Sequence, residues 1–220
     1  MPMEFIAATY IGSFNNKELI LDVYDEVNRY FAREDLPVRM LFVGKLSIPP
    51  GYLINLQTEK GTLKLYPLEA ILDALHSKLL QEVETKGSIR MNKIFALVSF
   101  PLVSRNPYFD FYEQFFGVQE EKVGLRMMVL SVKPFEPGVS ELGVGDPLRI
   151  KETFKERLVK GVLHEIGHSF GLSHCRNNCV MNPPANMREW DERMVGYCDS
   201  CFLDIKRKLS LMEFEFEEGC

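Results

Sequence analysis

The chain has 220 residues, of which 46% are apolar and 26% charged, with a formal net charge of -5. That is an ordinary globular composition with enough apolar material for a real core. It lacks the Lys/Arg stripe of a dedicated nucleic-acid binder, and no apolar run approaches the roughly 20 residues of a membrane span, so neither partner is expected.

Residues 3–11 (MEFIAATYI) read as a buried strand; no basic n-region or small-residue cleavage site marks a signal peptide. Leu19, Val23, Val27, Tyr30 and Phe31 recur at helical spacing, which predicts an amphipathic helix over 17–33. A short apolar strand is expected at 36–43, and no regular element is assigned to the turn-rich GKLSIPPGY (44–52). A second helix is expected from about Pro67 to Val83, with Leu68, Ile71, Leu72, Leu75 and Leu79 on one face. An apolar strand follows at 91–100. The stretch 101–117 reads as irregular, and its aromatic run (Phe109, Phe111, Tyr112, Phe115, Phe116) as core packing or a subdomain cap in preference to a specificity pocket. Residues 118–124 are polar enough for an edge strand or hairpin, and 126–135 read as another buried strand. The β-α-β-α-β order predicts a mixed sheet flanked by helices, of α/β (α+β) class.

From Asp146 the pattern changes. Asp146 can cap a helix that starts at Pro147, and the run ends at Gly171, a natural residue just past a helix C-terminus. Shorter helices are expected at 186–195 and 199–211, and the acidic tail 213–220 reads as a solvated terminus.

The sharpest signal is HEIGHSFGLSH, from His164 to His174. On a helix, His164 and His168 stand one turn apart on one face and can reach one metal. The break at Gly171 lets His174 approach the same metal from a loop. Three imidazoles leave a fourth position for water, as a catalytic zinc site requires. Glu165, next to the first ligand, is placed to act as general base. Three of the four histidines fall within these 11 residues, which argues against chance helix-surface histidines. His76, the fourth, carries no partner signals and reads as structural or exposed.

Cys175, Cys179, Cys198 and Cys201 lie within 27 residues, and no cysteine precedes them. Spacings of C-x3-C and C-x2-C, without a secretion signal, read as ligands of a second metal. Four thiolates suit a structural zinc; an iron–sulfur cluster is chemically open to them too, but the neighbouring histidines favour zinc. Cys220 reads as a free terminal thiol.

The pattern H-E-x-x-H-x-x-G-x-x-H at 164–174 resembles the metzincin signature. With Cys175, Cys179, Val180, Met181 and the Cys198/Cys201 pair, the chain resembles the archaemetzincin family specifically. Three residues separate the first two cysteines, one fewer than is usual in the family. The resemblance implies a metzincin-like zincin fold with a twisted mixed sheet and a long active-site helix, followed by a small cysteine-rich subdomain. It implies two Zn(2+) per chain: a catalytic one on His164, His168 and His174, and a structural one on the four cysteines. Met181 becomes the Met-turn floor and Gly171 the turn residue. A single catalytic domain over 1–220 follows, with an upper subdomain at 1–171, a lower one at 172–220, and substrate in a cleft lined by an edge strand near 115–123. Tyrosines near Tyr197 assist the transition state in some metzincins. The expectation is a cytoplasmic, monomeric zinc metallopeptidase acting on peptides or proteins. The alternative is a zinc-stabilised peptide-binding or scaffold protein with little hydrolysis; a nucleic-acid module built on the short KRK run at 206–208 is a third reading.

Overall fold

The structure, a computed structural model, describes residues 3–58, 61–86, 91–105, 112–137 and 147–217. Its contacts divide the chain into two units, one of residues 6–17 and 41–134, the other of residues 1–5, 18–40 and 135–220.

The first unit carries most of a five-stranded sheet. Its strands are β1 (Glu4–Ile11), β2 (Val38–Leu46), β5 (Met91–Val98), β8 (Gly117–Lys122) and β9 (Leu125–Ser131), in the order β2-β1-β5-β9-β8. β5 and β9 run parallel, with Ala96 opposite Val129, and β8 returns antiparallel along β9, with Val118 opposite Val129. The sheet is therefore mixed, as the element order predicts. β1 and β5 are near-continuous apolar runs buried on both faces, the pattern of interior strands. β8 forms the sheet's edge and carries Glu120, Glu121 and Lys122 exposed, the charged character that keeps an edge from pairing with other chains. Helix α2 (Leu68–Thr85) lies against β5 and β9 and buries Leu68, Ile71, Leu72, Leu75 and Leu79.

Two small antiparallel sheets depart from the sequence reading. β3 (Ile54–Thr58) pairs with β4 (Gly61–Leu65), and β6 (Leu102–Arg105) with β7 (Tyr112–Phe115). The stretch read as irregular thus contains a strand pair. Phe116 is exposed and Phe115 half-buried, so neither fills the core. Phe109 and Phe111 lie outside the described residues, as does Tyr112's side chain.

The second unit carries α1 (Lys17–Arg33), which buries Leu19, Ile20, Val23, Tyr24, Val27, Tyr30 and Phe31 along one stripe. It also carries the long helix α3 (Pro147–Ser169), the short α4 (Met187–Glu192) and α5 (Asp199–Glu217). Pro147 opens α3 as expected; its cap Asp146 and the terminal Cys220 lie outside the described residues. α5 runs to Glu217, so most of the acidic tail is helical. No helix among the described residues is long and apolar enough to cross a membrane.

Candidate metal centres

Both candidate sites lie in the second unit. α3 ends in a Schellman motif: the Leu172 N–H donates to Gly167 O at 3.0 Å and the Gly171 N–H to His168 O at 2.7 Å. Gly171 has φ of 76°, a left-handed conformation that costs glycine least. Its carbonyl accepts from Lys208 Nζ at 2.8 Å, a cation on the helix's negative end. This turn brings His174 back beside the helix. The ring centres of His164 and His168 are 4.6 Å apart, and those of His174 lie 5.4 and 5.0 Å from them. One ring nitrogen from each of the three falls within 4.8 Å of the others.

The tautomers follow from the bonds that the Nδ1 atoms make. A carbonyl oxygen can only accept, so His164 Nδ1–H donates to Val180 O at 2.7 Å and His168 Nδ1–H to Leu172 O at 2.8 Å. Both Nε2 atoms then carry lone pairs, and they face one another at 3.0 Å. Two acceptors this close repel unless a cation lies against both. The separation is near the roughly 3.3 Å edge of a tetrahedron of zinc–nitrogen bonds, so the donor set fits the metal. Burial, reinforced by the neighbouring imidazoles, pushes His164 down to about 4 and holds it neutral and ligand-competent; burial lowers His168 as well.

Glu165 is buried at 7% exposure. Among the described residues its carboxylate takes no hydrogen bond, and burial alone pushes it up to about 8. A nearby divalent cation acts in the opposite sense, favouring the carboxylate. The pair of buried, lowered imidazoles and raised carboxyl in adjacent positions is the environment expected of acid–base chemistry.

The cysteines form the second cluster. Their four Sγ atoms lie within 4.8 Å of one another, and all four are free thiols. Cys175 and Cys198 Sγ are 3.7 Å apart, against about 3.8 Å for the edge of a tetrahedron of 2.3 Å zinc–sulfur bonds. Donors point at the sulfurs: Asn177 N–H to Cys175, Met181 and Cys198 N–H to Cys179, and Ser200 Oγ–H with Asn177 Nδ2–H to Cys198. Burial raises Cys198, yet these donors outweigh it and bring the thiol down to about 6. Burial and crowding by the other thiols raise Cys179 and Cys201. Four thiols so divided become thiolates together only around a cation.

The two clusters share their framework. Met181 is fully buried, and its carbonyl accepts the Cys175 N–H at 2.9 Å. Gly167 makes room for it: a Cβ there would come within 2.4 Å of Met181 Sδ and 3.0 Å of Tyr197 Cε1. Tyr197 Oη donates to Leu163 O at 2.5 Å, and the Tyr197 N–H donates to Tyr30 Oη at 3.0 Å. The Tyr197 hydroxyl is thus buried and bonded to a backbone carbonyl of α3, an engagement that argues against the transition-state role the resemblance suggests.

Sequence reading missed several participants. Val180 and Leu172 act through backbone carbonyls, which no side chain announces. Gly167 sits inside the signature, and a glycine within a helix was its available signal. Arg157 and Lys160 were legible as charges on the stripe that leads to His164. His76 is half-buried and joins neither cluster. The KRK run is engaged locally: Lys206 stacks 4.7 Å over Phe202, Arg207 pairs with Asp204, and Lys208 binds Gly171 O.

Known proteins resemble this chain in sequence and fold. The model of peptidase family M54 matches residues 3–207. An archaemetzincin of Nanoarchaeum equitans is 31% identical over 168 residues, 70% of this chain and 87% of that one. The fold matches a crystal structure of archaemetzincin from Methanopyrus kandleri with a TM-score of 0.62 at 24% identity, covering 94% of this chain and 96% of the other. It also matches a zinc-dependent peptidase from Methanocorpusculum labreanum, with a TM-score of 0.61 at 22% identity over 90% and 99% of the two chains. The chain belongs to peptidase family M54, the archaemetzincins, and is a zinc-dependent metallopeptidase.

Proposed function

We propose that His164, His168 and His174 hold the catalytic zinc, that Cys175, Cys179, Cys198 and Cys201 hold a second, structural zinc, and that Glu165 is the general base. The observation that carries this reading is the pair of Nε2 lone pairs facing one another at 3.0 Å, with both Nδ1 atoms tied to carbonyls and the buried Glu165 alongside.

When bound, zinc supplies Lewis acidity, polarising the scissile carbonyl and lowering the pKa of water towards about 7. The protein's part is orientation and proton transfer. Val180 and Leu172 fix the imidazoles. Glu165 takes a proton from the attacking water and delivers it to the departing amine nitrogen. Met181, packed on Gly167, supplies the apolar floor, and Gly171 turns the chain so that His174 joins the helix ligands. In this reading the chain is one catalytic domain that divides functionally at Gly171 into segments 1–171 and 172–220. It acts as a cytoplasmic monomer on peptides or proteins.

The test is hydrolysis of a mixed peptide library, with zinc stoichiometry, by wild type and Glu165→Gln. Two zincs in both proteins, with cleavage lost in the variant, supports the mechanism. Two zincs and equal cleavage by both removes Glu165 from its role, and two zincs without cleavage by either favours a peptide-binding protein.

A further inference from the structure

Two cations are buried on the helix that carries the histidines. Arg157 is 2% exposed and Lys160 0%. Removing a charge from water costs several kcal/mol, and apolar residues of similar size commonly stabilise a fold as well or better. What these two hold is therefore informative. Arg157 Nε and Nη2 clasp Asp191 Oδ1 and Oδ2 at 2.6 and 2.7 Å, a bidentate fork. Lys160 Nζ donates to Trp190 O at 3.0 Å and Asp191 O at 3.1 Å, and meets Glu156 at 2.7 Å. The indole Nε1–H of Trp190 donates back to Arg157 O at 3.2 Å. Residues 157, 160, 164 and 168 are spaced three, four and four apart, so the cations and two histidines form one stripe. α4 is pinned to that stripe just before His164.

The consequence falls on Trp190, the chain's single tryptophan. It is 2% exposed, and its ring centre lies 6.3 Å from that of His164 at 76°, and 6.2 Å from Phe135. The His164 imidazole is thus bounded on three sides: by Val180 O at Nδ1, by the His168 ring at 4.6 Å, and by the indole. Turning the ring must break the Val180 bond or displace one of two aromatic neighbours.

We propose that Trp190 is a positioning residue for His164, seated by the Arg157–Asp191 fork and Lys160, and that it fixes the aim of the Nε2 lone pair before metal arrives. The proposal rests on reading His164 as a metal ligand. A side chain held in its bound orientation loses little freedom on binding, so the effect belongs to metal affinity. Core packing alone predicts a different pattern, a fall in global stability that touches both metal sites alike.

The experiment uses the full chain with zinc in the cysteine site and titrates the histidine site with cobalt(II), read by its visible bands and by chelator competition. Trp190→Leu is expected to weaken cobalt binding about tenfold or more, the scale of outer-shell effects, with one zinc per chain retained. Trp190→Phe is expected to stay within about threefold of wild type, because a ring still faces His164. Undiminished cobalt affinity in a zinc-loaded Trp190→Leu overturns the proposal. Equal losses in both variants overturn it too, by moving the effect to the indole N–H. Should Trp190→Leu fail to fold, Asp191→Asn decides: it loosens the fork while keeping its shape, and unchanged affinity there overturns the proposal. His164→Ala serves as the control. If wild type itself binds no cobalt that this substitution removes, the metal-ligand reading falls, and the positioning role with it.

Discussion

His164 Nδ1 lies 2.7 Å from the carbonyl of Val180, and Val180 is the residue between Cys179 and Met181. A candidate ligand of the catalytic site is therefore oriented by the residue that follows a candidate ligand of the structural site. The second link is covalent, since Cys175 directly follows His174. The thiol cluster sets the backbone on which the histidine cluster is aimed.

This geometry makes metal loss asymmetric. Cys179→Ser loosens the Val180 carbonyl and is expected to lower zinc occupancy at both sites, with histidine-site affinity down about tenfold or more. His174→Ala removes a candidate ligand from an exposed loop position and is expected to lose one zinc only. Mild chelation of wild type empties the histidine site first, because three neutral imidazoles hold zinc less tightly than four thiolates. Zinc content after dialysis against a zinc buffer reads all three. A Cys179→Ser protein that keeps full histidine-site affinity would break the link.

The Tyr197 hydroxyl, bonded to Leu163 O and buried, is expected to act on stability alone. Tyr197→Phe leaves that carbonyl to its helical bond and costs about 1 kcal/mol, a fall in Tm of about 2–4 °C for a chain of this size. Tyr30→Phe strands the buried Tyr197 N–H and costs more, about 1–3 kcal/mol. Thermal melts rank the two, and kcat/KM of Tyr197→Phe is expected to stay within about threefold of wild type. A thousandfold loss of kcat/KM at unchanged Tm would mean that the hydroxyl reaches substrate after all.

The site was more legible in the sequence than the scaffold around it, for physical reasons. Side chains that converge on one point need fixed spacings, so the clusters of His164, His168 and His174 and of the four cysteines announce themselves, and the apolar period of 17–33 gives α1 its full extent. The β3–β4 and β6–β7 pairs were missed because their strands are short and lack an apolar run. α5 outruns its expected end because the acidic residues of the tail are good helix formers, which a reading of charge alone passes over. The carbonyls of Val180 and Leu172, and the meeting of Arg157 with Asp191, depend on tertiary approach between segments and have no local signature.

Away from the site, Glu82 on α2 sits between Lys78 at 2.7 Å and Lys86 at 2.9 Å. Burial raises its pKa, but hydrogen bonds and charge from the two lysines outweigh it, and the net shift is downward. A depressed folded pKa adds stability that is present above the unfolded carboxylate range and lost as pH falls through the folded value. Glu82→Gln is therefore expected to cost about 0.5–1 kcal/mol at pH 7 and almost nothing once the wild-type carboxyl is protonated. Urea unfolding of both proteins at neutral and acidic pH checks this. A gap that holds constant, or widens in acid, contradicts it.

Gly167 poses the sharpest steric test. In an exposed helix, Gly→Ala stabilises by up to about 1 kcal/mol. Here the new methyl would come within 2.4 Å of Met181 Sδ and 3.0 Å of the Tyr197 ring. The Met181 side chain is fully buried, and protein interiors are packed densely enough that shifting it disturbs its neighbours. Gly167→Ala is thus expected to destabilise by about 1–3 kcal/mol. Because Gly167 lies between His164 and His168 on α3, the displaced floor is also expected to lower histidine-site metal affinity, with the cysteine zinc retained. Substituting Val for Met181 in the same background, which ends the side chain before the clashing δ position, is expected to recover part of both losses. A Gly167→Ala protein that melts at or above the wild-type temperature with both zincs in place would show that the helix and the turn beneath it are not in contact.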